Sequence, residues 1–254
     1  MIKTSSGDVD YEIHGHGYAT RRRPDPRIAA TIGAALGEAQ TVLNVGAGAG
    51  SYEPADRYVV AVEPSARMRS QRPLTAVPAL DATAERLPFD DGAFDAAMAI
   101  VTVHQWADTA RGLAELRRVA RGPVLVLTFD GDELDRLWLT EYAPELISSR
   151  RRRYPTISSI ADMIGADVQV IDVPIPIDCL DGFIEAYYAR PEQFLDPQVR
   201  AAQSAWHFVD RAATTRSLDR LRADLDSGAW DIRHGHLRSQ PQFAGSLRLI
   251  VSHQ

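Results

Sequence analysis

Thr41-Val42-Leu43-Asn44-Val45 runs directly into Gly46-Ala47-Gly48-Ala49-Gly50, and Val59-Val60-Ala61-Val62 then ends on Glu63. An apolar strand, a glycine turn and a second apolar strand closed by an acid form the opening of a doubly wound α/β sheet, whose ligands lie beyond the carboxyl ends of the strands. Glycine at alternate positions lets the backbone turn sharply and brings its N–H groups within reach of a ligand, since no Cβ intervenes. An acid at the tip of the second strand can accept hydrogen bonds from both hydroxyls of a ribose. A dinucleotide-binding turn needs glycine at the first, third and sixth places. Here the sixth place is Ser51, so nicotinamide and flavin cofactors are disfavoured. The competing reading is a strand-to-helix turn packed tightly for structural reasons alone.

Farther along come Ala84-Glu85-Arg86-Leu87-Pro88-Phe89 and Phe94-Asp95, then an apolar run to Val103 and His104-Gln105-Trp106. With these segments added to the glycine turn and Glu63-Pro64-Ser65, the chain resembles the class I S-adenosylmethionine-dependent methyltransferases over about residues 11–130. The likeness is strongest to the small-molecule group that includes the ubiquinone and menaquinone biosynthesis enzymes. It implies an α/β fold: a Rossmann-like, seven-stranded, mostly parallel sheet with an antiparallel last strand. It also implies S-adenosyl-L-methionine as cofactor. On that likeness Gly46, Ala47 and Gly48 pass under the methionine part, beside Asn44, and Glu63 takes the ribose diol. Pro64 and Met68 pack near the adenine, Thr83 and Ala84 read its edge, and Ile100 and Val101 close the site from the fourth strand. An N-terminal arm over residues 1–26 is expected to fold over the cofactor's carboxylate, with Arg22 or Arg23 making the contact and Tyr18 helping to close the pocket. Asn44 and Thr83 both stand where the family more often has Asp, and Arg121-Gly122-Pro123 replaces its usual Pro-Gly-Gly turn.

Eight residues separate Gly50 from Val59. That is too few for the usual helix and its return, and Pro54 interrupts the segment again, so the helix is expected to shrink to a turn and open one wall of the pocket. Elsewhere, four-residue spacing of Ile28, Ile32 and Leu36 predicts a helix over 27–38. Strands are expected at 41–45, 58–62, about 75–79, 94–101 and 124–128, with a helix over 113–120. A helix over 156–165 and a strand at 168–173 follow, the latter pairing with 247–252.

Between those last two strands lie residues 178–240, read as a helical insertion placed to serve as a substrate lid. The cofactor-binding domain is then 27–177 with 241–254. Helices are expected at 181–189, 197–211 and 217–226. The aromatic content of this segment fits either a lid core or a substrate cage. Gln105, Trp106, Trp138, Tyr187 and Trp206 are the candidate acceptor contacts. His104, just past the fourth strand and with an imidazole pKa near working pH, is the candidate base; the alternative is a histidine that only packs or hydrogen-bonds.

Composition narrows the field. Net charge is −6, which argues against a nucleic-acid track, and Cys179 stands alone, so no disulfide framework exists. No run reaches membrane-spanning length, and the polar first ten residues do not resemble a signal peptide, so a cytoplasmic protein is expected. Lys3 is the only lysine; the one basic block, Arg150 to Arg153, reads as a solvated helix end, with a nucleic-acid or acidic-substrate contact as the alternative. His234 and His236 lack a supporting ligand cluster, so no metal is expected, and no G-x-S-x-G elbow supports a hydrolase. Three functions stay open: methyl transfer to a small, largely apolar molecule, methyl transfer to RNA or protein, and a non-methylating use of the cofactor fold.

Overall fold

A computed structural model describes residues 21–165 and 167–253. Its centre is a seven-stranded sheet in the order β3-β2-β1-β4-β5-β9-β6. The strands are β1 (Thr41–Val45), β2 (Tyr58–Val62), β3 (Ala79–Leu80), β4 (Ala96–Ile100), β5 (Val124–Phe129), β6 (Asp167–Asp172) and β9 (Leu247–His253). The first five run parallel, and β9 inserts antiparallel between β5 and β6. The expected pairing of the late strand with the C-terminal one is therefore present. β3 is shorter and later than the stretch read from sequence.

Central strands are apolar on both sides because both faces are covered. On one face lies helix α1 (Pro26–Ala35), capped by the Asp25 carboxylate and burying Ile28 and Ile32 against Val42, Met98 and Leu125. On the other lie α3 (Thr109–Val119) and α6 (Ile157–Ile164), which bury Leu113, Leu116, Ile160 and Ile164 against Leu43, Ala97 and Ala99. A short helix, α2 (Ala66–Ser70), follows β2, with Ser65 as its N-cap. Phe94-Asp95 proves to be a structural device. The Asp95 carboxylate accepts from the N–H groups of Gln40 and Thr41 and from the Thr41 hydroxyl, and pairs with Arg121, tying the start of β1 to β4.

After β5 the chain forms α4 (Leu139–Tyr142) and α5 (Pro144–Arg153). The insertion is fastened at its base by a two-stranded ribbon, β7 (Ile175–Pro176) with β8 (Gln242–Phe243). The long helices read from sequence are largely replaced by single 3₁₀ turns at Ile184–Tyr187, Pro191–Leu195 and Ser204–Phe208, with α7 (Pro197–Ala201) among them. Pro191 and Pro197 each start a new turn, where a continuous helix would lose a backbone hydrogen bond. One long helix, α8 (Arg211–Asp226), begins earlier than expected because Asp210 caps it, and α9 (Ala229–His234) follows. Trp138, Tyr188, Phe194 and Trp230 join the insertion to the α1 side of the core in one apolar cluster. Among the described residues no helix is long and apolar enough to cross a membrane.

Candidate functional site

The carboxyl ends of β1, β2 and β4 open into a cleft of about 590 Å³ lined by Arg22, Asn44, Gly46, Ala47, Gly48, Glu63, Met68, Ile100, Val101 and Gln105, with Tyr52 and Thr102. Gly46 has φ +68°, and a Cβ there would lie 2.2 Å from Thr102 Oγ1. The Gly48 N–H donates to Glu63 Oε2 and the Ser65 N–H to Oε1, each at 2.8 Å. Each Glu63 oxygen thus keeps a lone pair for a further donor. Burial pushes the Glu63 carboxyl up, against the lowering effect of those two N–H groups and of Arg69 and Arg72. Asn44 donates to Glu53 at 3.0 Å, while its Oδ1 is buried with no donor, an orphan acceptor in the cleft wall.

No helix forms between β1 and β2. Ser51 and Tyr52 from the shortened connection line the cleft on that side, and the neighbouring Glu53 forms a buried ion pair with Arg72 at 2.8 Å. Tyr52 sends its hydroxyl to Asp181 at 2.9 Å, and Arg22 pairs with the same carboxylate at 2.5 Å. Tyr52 (φ +64°) and Val101 (φ +52°) are the non-glycine residues with positive φ among the described residues, and both line the cleft. Each such conformation costs about 1–3 kcal/mol and survives only where its surroundings enforce it; for Val101 the enforcing contact includes an N–H bond to Leu127 O at 2.8 Å.

A second cavity of about 400 Å³ adjoins the first, sharing Arg22, Val101 and Gln105 with it. Its walls are His104, Phe129, Arg150, Tyr154, Phe183, Ile184 and residues 203–205. The insertion therefore roofs this cavity with Phe183, Ile184, Gln203, Ser204 and Ala205. Gln203 is held by an indole N–H bond from Trp206 at 3.0 Å and itself donates to Gly182 O.

His104 lines this cavity, its ring 4.5 Å from that of Tyr154. Burial, then the charges of Arg153, Arg150 and Arg22, hold its pKa well below the ordinary value, so the imidazole is neutral in the fold. Because the Gln105 amide nitrogen, assigned 3.3 Å away, can only donate, His104 Nε2 accepts and the proton lies on Nδ1, which has no partner. The unfolded imidazole protonates near pH 6.5 and the folded one only well below. The unfolded state therefore binds more protons as pH falls, and stability is lost in that direction. Urea unfolding at pH 7.5 and pH 5.0 should show the wild type losing up to about 1.4 kcal/mol per pH unit below 6.5 more than His104→Gln. Equal losses would mean that the buried ring protonates freely.

Other residues singled out from the sequence lie elsewhere. Pro64, Thr83 and Ala84 fall outside the cleft lining; the Pro64 carbonyl accepts from Arg69, and Ala84 and the Trp106 ring pack against Gly112. Trp138 is walled in by Tyr142, Phe194 and Trp230, with its N–H on Tyr188 O at 2.8 Å, and Tyr187 packs on Phe194. These aromatics and Trp206 belong to the apolar cluster that joins the insertion to residues 138–142 and line neither cavity. Arg23 is exposed, and Tyr18 lies outside the described residues. The basic block is not a uniform solvated end. Arg151 pairs with Asp135, Arg153 lies 4.2 Å over the Phe208 ring, and Arg150 is buried. Tyr52, Thr102, Arg150 and Asp181 are site residues that motif reading misses. A tyrosine inside an abnormally short βα connection, and a β-branched residue two places past the fourth strand facing the glycine turn, were the available signals.

Residues 43–127 match the family model of a methyltransferase domain. A solved structure from Anabaena variabilis, titled as a candidate methyltransferase from an antibiotic biosynthesis pathway, is 28% identical, with TM-score 0.86 over 93% of this chain and 100% of that one. YcgJ of Bacillus subtilis shares the fold at 19% identity (TM-score 0.52, covering 89% and 97% of the two chains), as does the [4+2]-cyclase SpnF at 14% (0.51, 90% and 80%). No curated protein sequence matches. Residues 43–127 thus carry a methyltransferase domain, and the whole chain is similar to a methyltransferase of that fold, whose cofactor is S-adenosylmethionine. The residues present fit that molecule. Glu63 has lone pairs for a diol, the orphan Asn44 Oδ1 suits an ammonium donor, and Arg22 offers a cation to a carboxylate while staying paired with Asp181.

Proposed function

We propose that the protein transfers a methyl group from S-adenosylmethionine to an oxygen, nitrogen or carbon of a small, largely apolar molecule, with residues 178–240 acting as the substrate lid. The observation that supports this most is the junction of the two cavities at Arg22, Val101 and Gln105, which puts an aromatic-walled space beside the cofactor cleft. A concave space with aromatic walls and a few convergent polar groups suits a small ligand.

When bound, the cofactor supplies a methyl sulfonium, already a strong electrophile. The chain's tasks are to hold a nucleophile in line and exclude water, and such positioning contributes roughly 7–11 kcal/mol. Phe129, Tyr154 and Phe183 exclude water, and the cleft-sharing residues set the approach. As a base, His104 is weak, since its neutral form is imposed by burial; its Nδ1–H suits it better to orient the acceptor. The splitting of the arginine block, with Arg150 turned inward, weakens one of the features that pointed to a polymer acceptor.

Incubating the protein with methyl-labelled S-adenosylmethionine and separate small-molecule, RNA and protein fractions tests this. Label is expected in the small-molecule fraction. Label confined to RNA or protein would contradict the reading, and cofactor binding with no label in any fraction would move the chain to non-methylating chemistry.

A further inference from the structure

The last turn of α5 places Arg150 in the wall of the acceptor cavity, 2% exposed. Its guanidinium lies 4.9 Å from the Phe129 ring centroid and 5.6 Å from that of Tyr154. Nη1 is fully buried and has no hydrogen-bond partner. Among the described residues no carboxylate forms an ion pair with it. Of the two buried acids nearby, Asp181 is committed to Arg22 and Tyr52, while Glu185 is hydrogen-bonded to the Ser246 N–H and hydroxyl at 3.1 and 2.7 Å and reaches Arg150 only through its charge, without an ion pair. A buried cation without its anion is costly, and apolar residues in its place are often neutral or stabilising. Its presence in a cavity wall therefore calls for a ligand that supplies the charge.

A second orphan sits in the same cavity, the His104 Nδ1. One planar guanidinium fork and one imidazole N–H match a singly charged, planar acceptor group, since Arg meets a carboxylate through two parallel hydrogen bonds. Phe129, Phe183 and Tyr154 give the body of the ligand flat apolar walls. Arg150 lines only the second cavity, whereas Arg22, Val101 and Gln105 line both. The anion thus belongs at the end away from the cofactor.

We infer that the methyl acceptor is a planar carboxylic acid whose carboxylate is anchored by Arg150 and whose reacting atom lies at the Val101 and Gln105 end. This inference rests on the acceptor-cavity reading above. The test uses protein saturated with S-adenosylhomocysteine, titrated with benzoate, 1-naphthoate and indole-3-acetate and with the primary amide of each. At least one acid is expected to bind about tenfold or more tighter than its amide, and Arg150→Met to lose about 10- to 150-fold of that acid's affinity. S-adenosylhomocysteine affinity in that variant should stay within about twofold, since Arg150 is absent from the cofactor cleft. Arg150→Lys, which keeps the charge and loses the fork, should fall between. Amides that bind as well as their acids, or acid preference unchanged in either variant, would overturn the inference, and a lower melting temperature with unchanged preference would assign Arg150 a structural role instead. Failure of the wild type to bind S-adenosylhomocysteine defeats the underlying cofactor reading and the inference with it, and is seen before any acid is added.

Discussion

Gly46→Ala should weaken S-adenosylhomocysteine binding by roughly 10- to 100-fold, the equivalent of about 1–3 kcal/mol of overpacking in the cleft wall. The added Cβ would lie 2.2 Å from Thr102 Oγ1, 2.9 Å from Cγ2 and 3.0 Å from Cβ. Either the turn or Thr102 must move, and both line the cleft. The left-handed φ of +68° adds its own cost. Backbone strain of about 1–2 kcal/mol with overpacking of about 1–3 kcal/mol gives a loss of about 2–5 kcal/mol, which a domain stable by about 5–15 kcal/mol survives. Pairing the substitution with Thr102→Gly removes the clash and leaves the strain, so the double variant should recover stability and part of the binding. Chemical denaturation and calorimetry measure both, and a Gly46→Ala protein that binds as tightly as the wild type would show that the turn does not carry the cofactor.

Glu63→Ala should have an effect of similar size. The carboxylate is buried, holds the Gly48 and Ser65 N–H groups, and retains lone pairs toward the cleft. Hydrogen bonds to a charged group are worth about 1.5–3 kcal/mol, so S-adenosylhomocysteine should bind about 10- to 150-fold more weakly. Loss of the Gly48 contact also loosens the glycine turn, so the variant should bind worse than Glu63→Gln, which retains one acceptor. Unchanged affinity in Glu63→Ala would sink the ribose assignment.

The parallel half of the sheet was legible because its strands are apolar on both faces and its turns carry their own chemistry. Gly46, Gly48 and Glu63 can be placed from spacing alone, since a steric requirement and a strand tip fix where they point. The late antiparallel pair was legible too, once 168–173 and 247–252 were read as partners. The insertion was less so. Its apolar spacing resembles helix, but the chain there runs as short turns, each with its own start, and its aromatics satisfy one another across distances that no local pattern records. Arg150 was invisible as a cavity residue for the same reason. A run of four arginines looks solvated from sequence, and only the tertiary approach of Phe129 and Tyr154 turns one of them inward. Asp181 acts across long sequence separation, drawing Arg22 and Tyr52 to one carboxylate, and no motif marks such a junction.

The most direct measurement is calorimetric titration of the wild-type protein with S-adenosylmethionine and with S-adenosylhomocysteine. The cleft formed by Gly46, Gly48, Glu63 and the orphan Asn44 Oδ1 predicts that both bind at one site per chain, in competition with each other. A folded protein that takes up neither molecule would contradict the assignment of this cleft as the cofactor site.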